Sequence, residues 1–414
     1  MAQTLKFGNG NFATKAGSTL CYDDQNGNFK PIPMDFTRAS TATRVNKQGL
    51  IEVVKSNVPR IDYTDTSDGV LLLEKAATNL LPYSNDFSNS AWGKTNVTLT
   101  SNAVISPDGT QNASKIVAIG SDGSLQDSIT VTSGTTYTLS VYLKTVSGTL
   151  DTAISLGSPG FPQNEGEGGR YKNITVTNEW KRYTLTSTAD ASAATGIGVG
   201  GFNSFSTSEQ VYVYGAQFEV GSFPTSYIPT QGSAVTRVAE TANNSGNSEV
   251  FNDSEGVLFA DIAYLNPTTS PNSRIAISDG TALNRILIQN VSSTSNRLQF
   301  YVISNGVSST DFFTDLSDIT LFNKIVFKYK TNDFSVWING FEVLTDTSGS
   351  TFSDGTLNEL AFDGGDGTSD FYGKTKEIGY YNTILTDLEL ETLTSYKSWT
   401  SMVNELNLNI IYNG

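Results

Sequence analysis

The chain has 414 residues, 26 basic against 41 acidic side chains and a net charge of −15, a balance that repels phosphate backbones and argues against nucleic acid as a partner. It has no histidine and one cysteine, Cys21, which removes Ser–His and Cys–His nucleophiles, zinc held by histidine or thiolate clusters, and any intramolecular disulfide. Only 16% of residues are charged, where about 25% is usual, and Gly, Ser, Thr and Asn fill the gap, a mix that suits short strands and turns.

The opening stretch MAQTLKFGNGNF carries no signal-peptide pattern. No run of about 18 apolar residues occurs anywhere, so no membrane insertion is expected. Residues 1–75 hold short extended pieces, GLIEVV and GVLLLE, between polar turns, with Pro31, Pro33 and Pro59 keeping the backbone extended. They read as an N-terminal arm. The arm concentrates Lys30, Arg38, Arg44, Lys47, Lys55 and Arg60 against Asp35 and Glu52, a basic stretch that either docks on an acidic partner or is simply solvated.

Residues 76–232 change texture. TYTLSVYLK alternates with period two, placing Tyr137, Leu139, Val141 and Leu143 on one face. Similar β-branched runs recur between turn signals, which argues for an antiparallel jelly roll. Residues 233–250 are rich in Gly, Asn and Ser and read as a linker. Residues 251–400 repeat the β texture, with Asn339-Gly340 as a two-residue hairpin signal, and read as a second sandwich. One helix is expected near its end, where Thr386 and Glu389 form a capping box and Leu385 and Leu390 a hydrophobic staple. Residues 401–414 form a tail whose alternation fits a last strand or a contact with a neighbour. The fold class is therefore all-β: an extended arm, two antiparallel sandwiches and a short helix. Two stretches echo each other, STATRV at Ser40–Val45 and SAVTRV at Ser233–Val238; both are expected to be extended seams tied down by Arg44 and Arg237.

The stretches MDFTRASTATRVNKQGLIEVVKSNVPRIDY, LLLEKAATNLLPYSNDFSNSAW and VYVYGAQFEVGSFPTSYIPTQGSAVTRVAE together resemble a family of tailed-bacteriophage virion proteins of the head-fibre or tail-fibre type, over about Asp35 to Glu240. The central part is similar to carbohydrate-binding jelly rolls, whose opening pattern is met by Asn79, Leu80, Leu81, Phe87 and Trp92. SVWINGFEV and KEIGYYNTILTDLELETL resemble the concanavalin A-like (laminin G-like) sandwich. The resemblance implies a virion structural protein, a fibre or capsid decoration, with other virion proteins and host-surface glycans as partners. It implies homotrimers for fibres, although no heptad or β-helix repeat is present.

Glycan binding uses aromatics flanked by polar groups on loops of a rigid scaffold. The loops GSPGFPQNEGEGGRY and GGFNSFSTSE offer Phe161, Arg170, Tyr171, Phe202 and Phe205; against this stands the tendency of aromatics to pack inward. FDGGDGTSDF carries Asp363, Asp366 and Asp370, oxygen donors of the kind calcium takes, though Asp and Gly also make ordinary turns. The loop around Asp86 offers a weaker ion site of the same kind. Arg38, Arg44, Arg60 and Arg237 lie in the family-like stretches and fit attachment, either to the protein's own modules or to a neighbouring subunit, through Arg–carboxylate pairs. Glycosidases on the concanavalin-like fold often place their acids on one strand as E-x-D-x-x-E. No such string occurs here, so the expectation is a non-enzymatic adhesin or decoration protein carried on the particle. The alternatives are a structural capsid or tail subunit without ligand, and a glycan hydrolase.

Overall fold

The computed structural model describes residues 3–15, 18–23, 29–201, 205–268 and 271–409. Strands take up 48% of the chain and helices 4%, so the fold is all-β, built from multiple antiparallel sheets. The chain divides into two compact units, each discontinuous in sequence. A terminal unit comprises Met1–Ala39, Ser56–Lys75 and Ala239–Gly414, and a central unit comprises Ser40–Lys55 and Ala76–Val238. Among the described residues no helix is long and apolar enough to cross a membrane.

The terminal unit is a sandwich. In its larger sheet the strand Glu255–Tyr264 lies between Asn323–Lys330 and Gly373–Tyr381. Period-two alternation divides the central strand: Leu258, Ala260 and Ile262 face the main core, where they meet Ile277, Ile286 and Phe300 of the facing sheet. Val257 and Phe259 face the other way and are covered by Leu390 of the helix Asp387–Thr394 and by Leu385 just before it. That helix starts as the sequence predicts, with the Glu389 carboxylate accepting from the Thr386 N–H at 2.8 Å. The Asn339-Gly340 hairpin also forms, with φ of 52° and 91° at the two turn residues, values that Asn and Gly reach at least cost.

The reading of residues 1–75 as an arm is corrected. The strand Leu5–Gly8 pairs with Gly373–Tyr381, putting Leu5 opposite Tyr380, and Val70–Leu73 pairs with the same strand, putting Leu72 opposite Lys374. Leu5, Phe7, Leu71 and Leu73 are core residues of the terminal unit, and Cys21 is buried there, its thiol pushed up to about 12 by burial. An exposed arm would leave these apolar side chains in water; pairing buries them. The 233–250 linker is corrected on the same ground: Val235–Arg237 pairs with Ala77–Asn79 in the central unit, and Thr241–Asn243 pairs with Lys30–Thr37 in the terminal unit. The tail forms a second helix, Trp399–Glu405, instead of a strand; residues 410–414 lie outside the described residues.

The central unit packs two five-stranded antiparallel sheets face to face. Leu139, Val141 and Leu143 point into its core with Ile116, Val213, Ile154 and Ile197, as the alternation of TYTLSVYLK requires. The opening pattern is used as expected: Leu81, Phe87 and Trp92 are buried, with the Phe87 and Trp92 rings 4.9 Å apart. Asn79 is fully buried and serves as a clamp. Its amide donates to the carbonyls of Ala216 and Ile228, and its oxygen accepts from the N–H groups of Leu81 and Phe218. The opposite face of the strand Thr136–Thr145 is covered too. Tyr142 packs with Tyr214, Tyr227 and Ile51, the last from the hairpin Ala42–Val45 and Ile51–Val54.

Candidate functional site

That covering layer leaves a cleft of about 600 Å³ in the central unit. Six separate stretches line it, one of them the 108–114 segment with Asp108, Asn112 and Ser114. The 42–54 hairpin gives Thr43, Ile51 and Val53; the loop after Ala77–Asn79 gives Ser84, Asn85, Asp86 and Ser88. The strand Val97–Val104 gives Ser101 and Asn102, Gln210–Val220 gives Tyr214, and the 227–231 segment gives Tyr227, Pro229, Thr230 and Gln231. A register shift between Thr100 and Val104 marks a bulge, and Asn102 sits in it at φ 54°, exposed. Bulges re-aim side chains at sheet edges.

Asp108 organises the floor. Its carboxylate accepts from the hydroxyls of Ser106 and Thr110, the Thr110 N–H, the Asn112 amide and the Tyr214 hydroxyl, at 2.7 to 3.0 Å. Burial pushes this carboxyl up, but the bonds from Ser106, Thr110 and Asn112 outweigh it and hold it below the ordinary aspartate value. Five donors use its lone pairs, so Asp108 is an ionised anchor that orients Asn112 and Tyr214. Burial, with Tyr227 and Asp108 nearby, pushes the Tyr214 hydroxyl well above the usual tyrosine range; it stays a neutral donor. Ser84 is fixed by the Tyr227 hydroxyl at 2.7 Å. Among the described residues the side-chain oxygens of Asn85 and Asn112 have no hydrogen-bond partner. Asp86 is exposed, and one of its oxygens accepts from the Ser88 N–H and hydroxyl.

The residues expected to bind glycan do not converge. Phe161 and Phe205 are core residues, 2% and 1% exposed. Phe161 lies edge-on to Tyr137 at 6.1 Å and to Phe218 at 6.5 Å, so neither ring is available to stack on a sugar. Arg170 and Tyr171 are half-buried, Tyr171 opening a strand opposite Ser155. Phe202 lies outside the described residues.

The three aspartates of the acidic loop have partners within the chain. Among the described residues no group of three or more Asp, Glu, His or Cys side chains is arranged to hold a metal. Asp363 is 2% exposed and accepts from the Asn243 amide and the Gly365 N–H. Asp366 accepts from Thr368 and pairs with Arg285 at 3.5 Å, and Asp370 accepts from the Tyr372 hydroxyl. Asp363 and Asp366 also accept within their own turn, from the Gly365 N–H and from Thr368.

The four arginines serve the chain itself. Arg38 and Arg60 are fully buried in the terminal unit. Arg38 donates to Glu240 at 2.6 Å; Arg60 donates to Glu240 at 2.8 Å through Nε and again through a terminal nitrogen, and it pairs with Glu74 at 2.8 Å. Glu240 also accepts from the Glu74 N–H at 3.0 Å. In the central unit Arg237 is buried and donates to Ser226, and Arg44 pairs with Glu52 across its hairpin at 2.6 Å. With Arg38, Arg60 and Arg237 buried, attachment to a neighbouring subunit through them is corrected to internal bracing. The two echoing stretches share one job: the Thr43 hydroxyl donates to the Tyr227 carbonyl, Arg237 reaches Ser226, and the Val238 N–H donates to the Ser40 hydroxyl. Both fasten the segment that walls the cleft.

No family model matches the chain, and no curated protein matches it in sequence. Solved structures do align with parts of it. One is the carbohydrate-binding module of a Ruminococcus gnavus sialidase bound to α2,3-sialyllactose, at 15% identity and TM-score 0.31 over 36% of this chain and 86% of that one. Another is domain 4 of a Geobacillus stearothermophilus extracellular arabinanase in complex with arabinotriose, at 13% identity and TM-score 0.31, over 42% of this chain and 83% of that one. A third is the enzymatically active domain of tailspike protein 4 of bacteriophage CBA120, at 18% identity and TM-score 0.26, over 34% of this chain and 21% of that one.

Proposed function

We propose that the protein is a non-enzymatic glycan-binding protein displayed on a phage particle, and that the cleft of the central unit holds the glycan. The carrying observation is the lining itself. Amides, hydroxyls and carboxylates from six stretches converge on one concavity with small apolar patches at Val53 and Pro229. A sugar presents that same pairing of hydroxyls and C–H faces, and sites of this volume with a few oriented polar groups are where small ligands bind. Display on a virion is supported by the resemblance over Asp35 to Glu240.

Binding without turnover is supported by the state of Asp108. A glycosidase needs one carboxylic acid kept protonated as proton donor. Asp108 is held in the opposite state, ionised and saturated with donors.

The test is a glycan array followed by titration of wild type and of Asn102→Ala and Gln231→Ala, both exposed positions on the cleft. Each loss of a hydrogen bond is expected to weaken binding roughly fivefold, with no new reducing ends released. Binding that is indifferent to both substitutions, or silence across the array, would place the function elsewhere.

A further inference from the structure

Resting on that reading, we infer that the cleft selects uncharged glycans and rejects sialylated, sulfated or uronate-bearing ones, with Asp86 as the acceptor for sugar hydroxyls. Three observations carry this. The lining contains two carboxylates, Asp86 and Asp108, and no lysine or arginine. Asp108 is ionised and fully engaged, so it contributes fixed negative charge to the floor and has no free lone pair to share. Asp86 is exposed, and Ser88 engages only one of its two oxygens, leaving the other to accept from a sugar hydroxyl.

A carboxylate accepting from neutral hydroxyls forms charge-assisted bonds. The same carboxylate facing a glycan carboxylate or sulfate forms a like-charge contact in a partly desolvated site, where such contacts are repulsive and discriminate between ligands. The net charge of −15 adds a field of the same sign. The remaining lining groups are neutral. Asn102 and Gln231 are exposed amides that both donate and accept, so they accommodate hydroxyls without compensating an anion.

The experiment titrates the full chain with neutral oligosaccharides drawn from the array and with the same cores bearing a terminal sialic acid or a sulfate. The neutral forms are expected to bind at least tenfold more tightly, with little dependence on salt. Asp86→Asn is expected to weaken neutral binding and to narrow the gap between neutral and acidic forms at least threefold. Equal or tighter binding of the acidic forms, lost in Asn102→Ala, would overturn the charge selectivity while leaving the cleft as the glycan site. Binding of either class that is indifferent to Asn102→Ala would overturn the site reading and this inference with it. An Asp86→Asn variant that leaves both affinities unchanged would remove Asp86 from the role given to it here.

Discussion

Replacing Glu240 by alanine is expected to cost the terminal unit about 3–5 kcal/mol, the range for removing one partner from a buried ion pair. Glu240 is fully buried and takes hydrogen bonds from Arg38, from Arg60 and from the Glu74 N–H. Its removal deprives two buried guanidinium groups of a shared counter-charge, while Arg60 keeps its pair with Glu74. Calorimetry on wild type and Glu240→Ala measures this directly: for a unit of this size, the loss corresponds to a fall in midpoint of roughly 6–20 °C. Glu240→Gln, which keeps the shape but not the charge, should fall between. An unchanged midpoint in Glu240→Ala would mean that the cluster is hydrated and loosely held, contrary to the packing described here.

Asp261→Asn is expected to stabilise the protein. Asp261 lies within the larger sheet of the terminal unit, and one of its oxygens has no hydrogen-bond partner among the described residues. Burial pushes its carboxyl up to about 6; Lys376 and Lys324 pull it down, and Glu405 and Glu377 push it up. A folded-state value raised above the unfolded one favours the protonated form. The contribution to stability is therefore complete below about pH 4 and is lost as pH rises through about 6. Raising this carboxyl from its ordinary value to about 6 is worth about 3 kcal/mol. The asparagine variant, neutral throughout, should exceed wild type by up to about 3 kcal/mol at pH 7–8, and the gap should close towards pH 4. Urea denaturation at several pH values reads the difference between the two proteins, which cancels the other carboxylates. A wild type more stable than the variant at pH 8 would show that Asp261 is a net favourable partner of Lys324 and Lys376.

Both effects rest on contacts between residues far apart in the chain, and this is where sequence reading stops. Local devices were legible. The alternation of Tyr137 to Leu143, the Asn339-Gly340 turn and the Thr386–Glu389 cap depend on neighbours in sequence, and all three form. The partner of a strand is not local information. Leu5 lies opposite Tyr380 and Leu72 opposite Lys374, so residues 1–75 looked like an arm because their short apolar runs have no partners nearby. The same holds for the arginines. Residue type fitted carboxylate pairing, and the pairs exist, but nothing near Arg38 or Arg60 pointed to Glu240.

The candidate site was less legible than the fold. Phe161 and Phe205 sit in polar loop sequence, and composition does not say that a loop aromatic turns inward to fill a core. Asp363, Asp366 and Asp370 have the donor chemistry for calcium, but their partners in the fold, Asn243, Arg285 and Tyr372 among them, are not legible from the loop alone. The cleft was missed because six stretches supply it and none is a motif. Two signals were present: the Asp86 loop, read only as an ion site, and Ser106-Pro107-Asp108-Gly109, whose aspartate organises the cleft floor.

The most direct measurement is a crystal structure of the full chain soaked with the tightest-binding oligosaccharide from the array. The cleft reading predicts sugar density between Asp86, Asn102 and Gln231, with a hydroxyl within hydrogen-bond distance of the Asp86 oxygen that Ser88 leaves free. Sugar bound elsewhere on the protein, with this cleft empty, would contradict it.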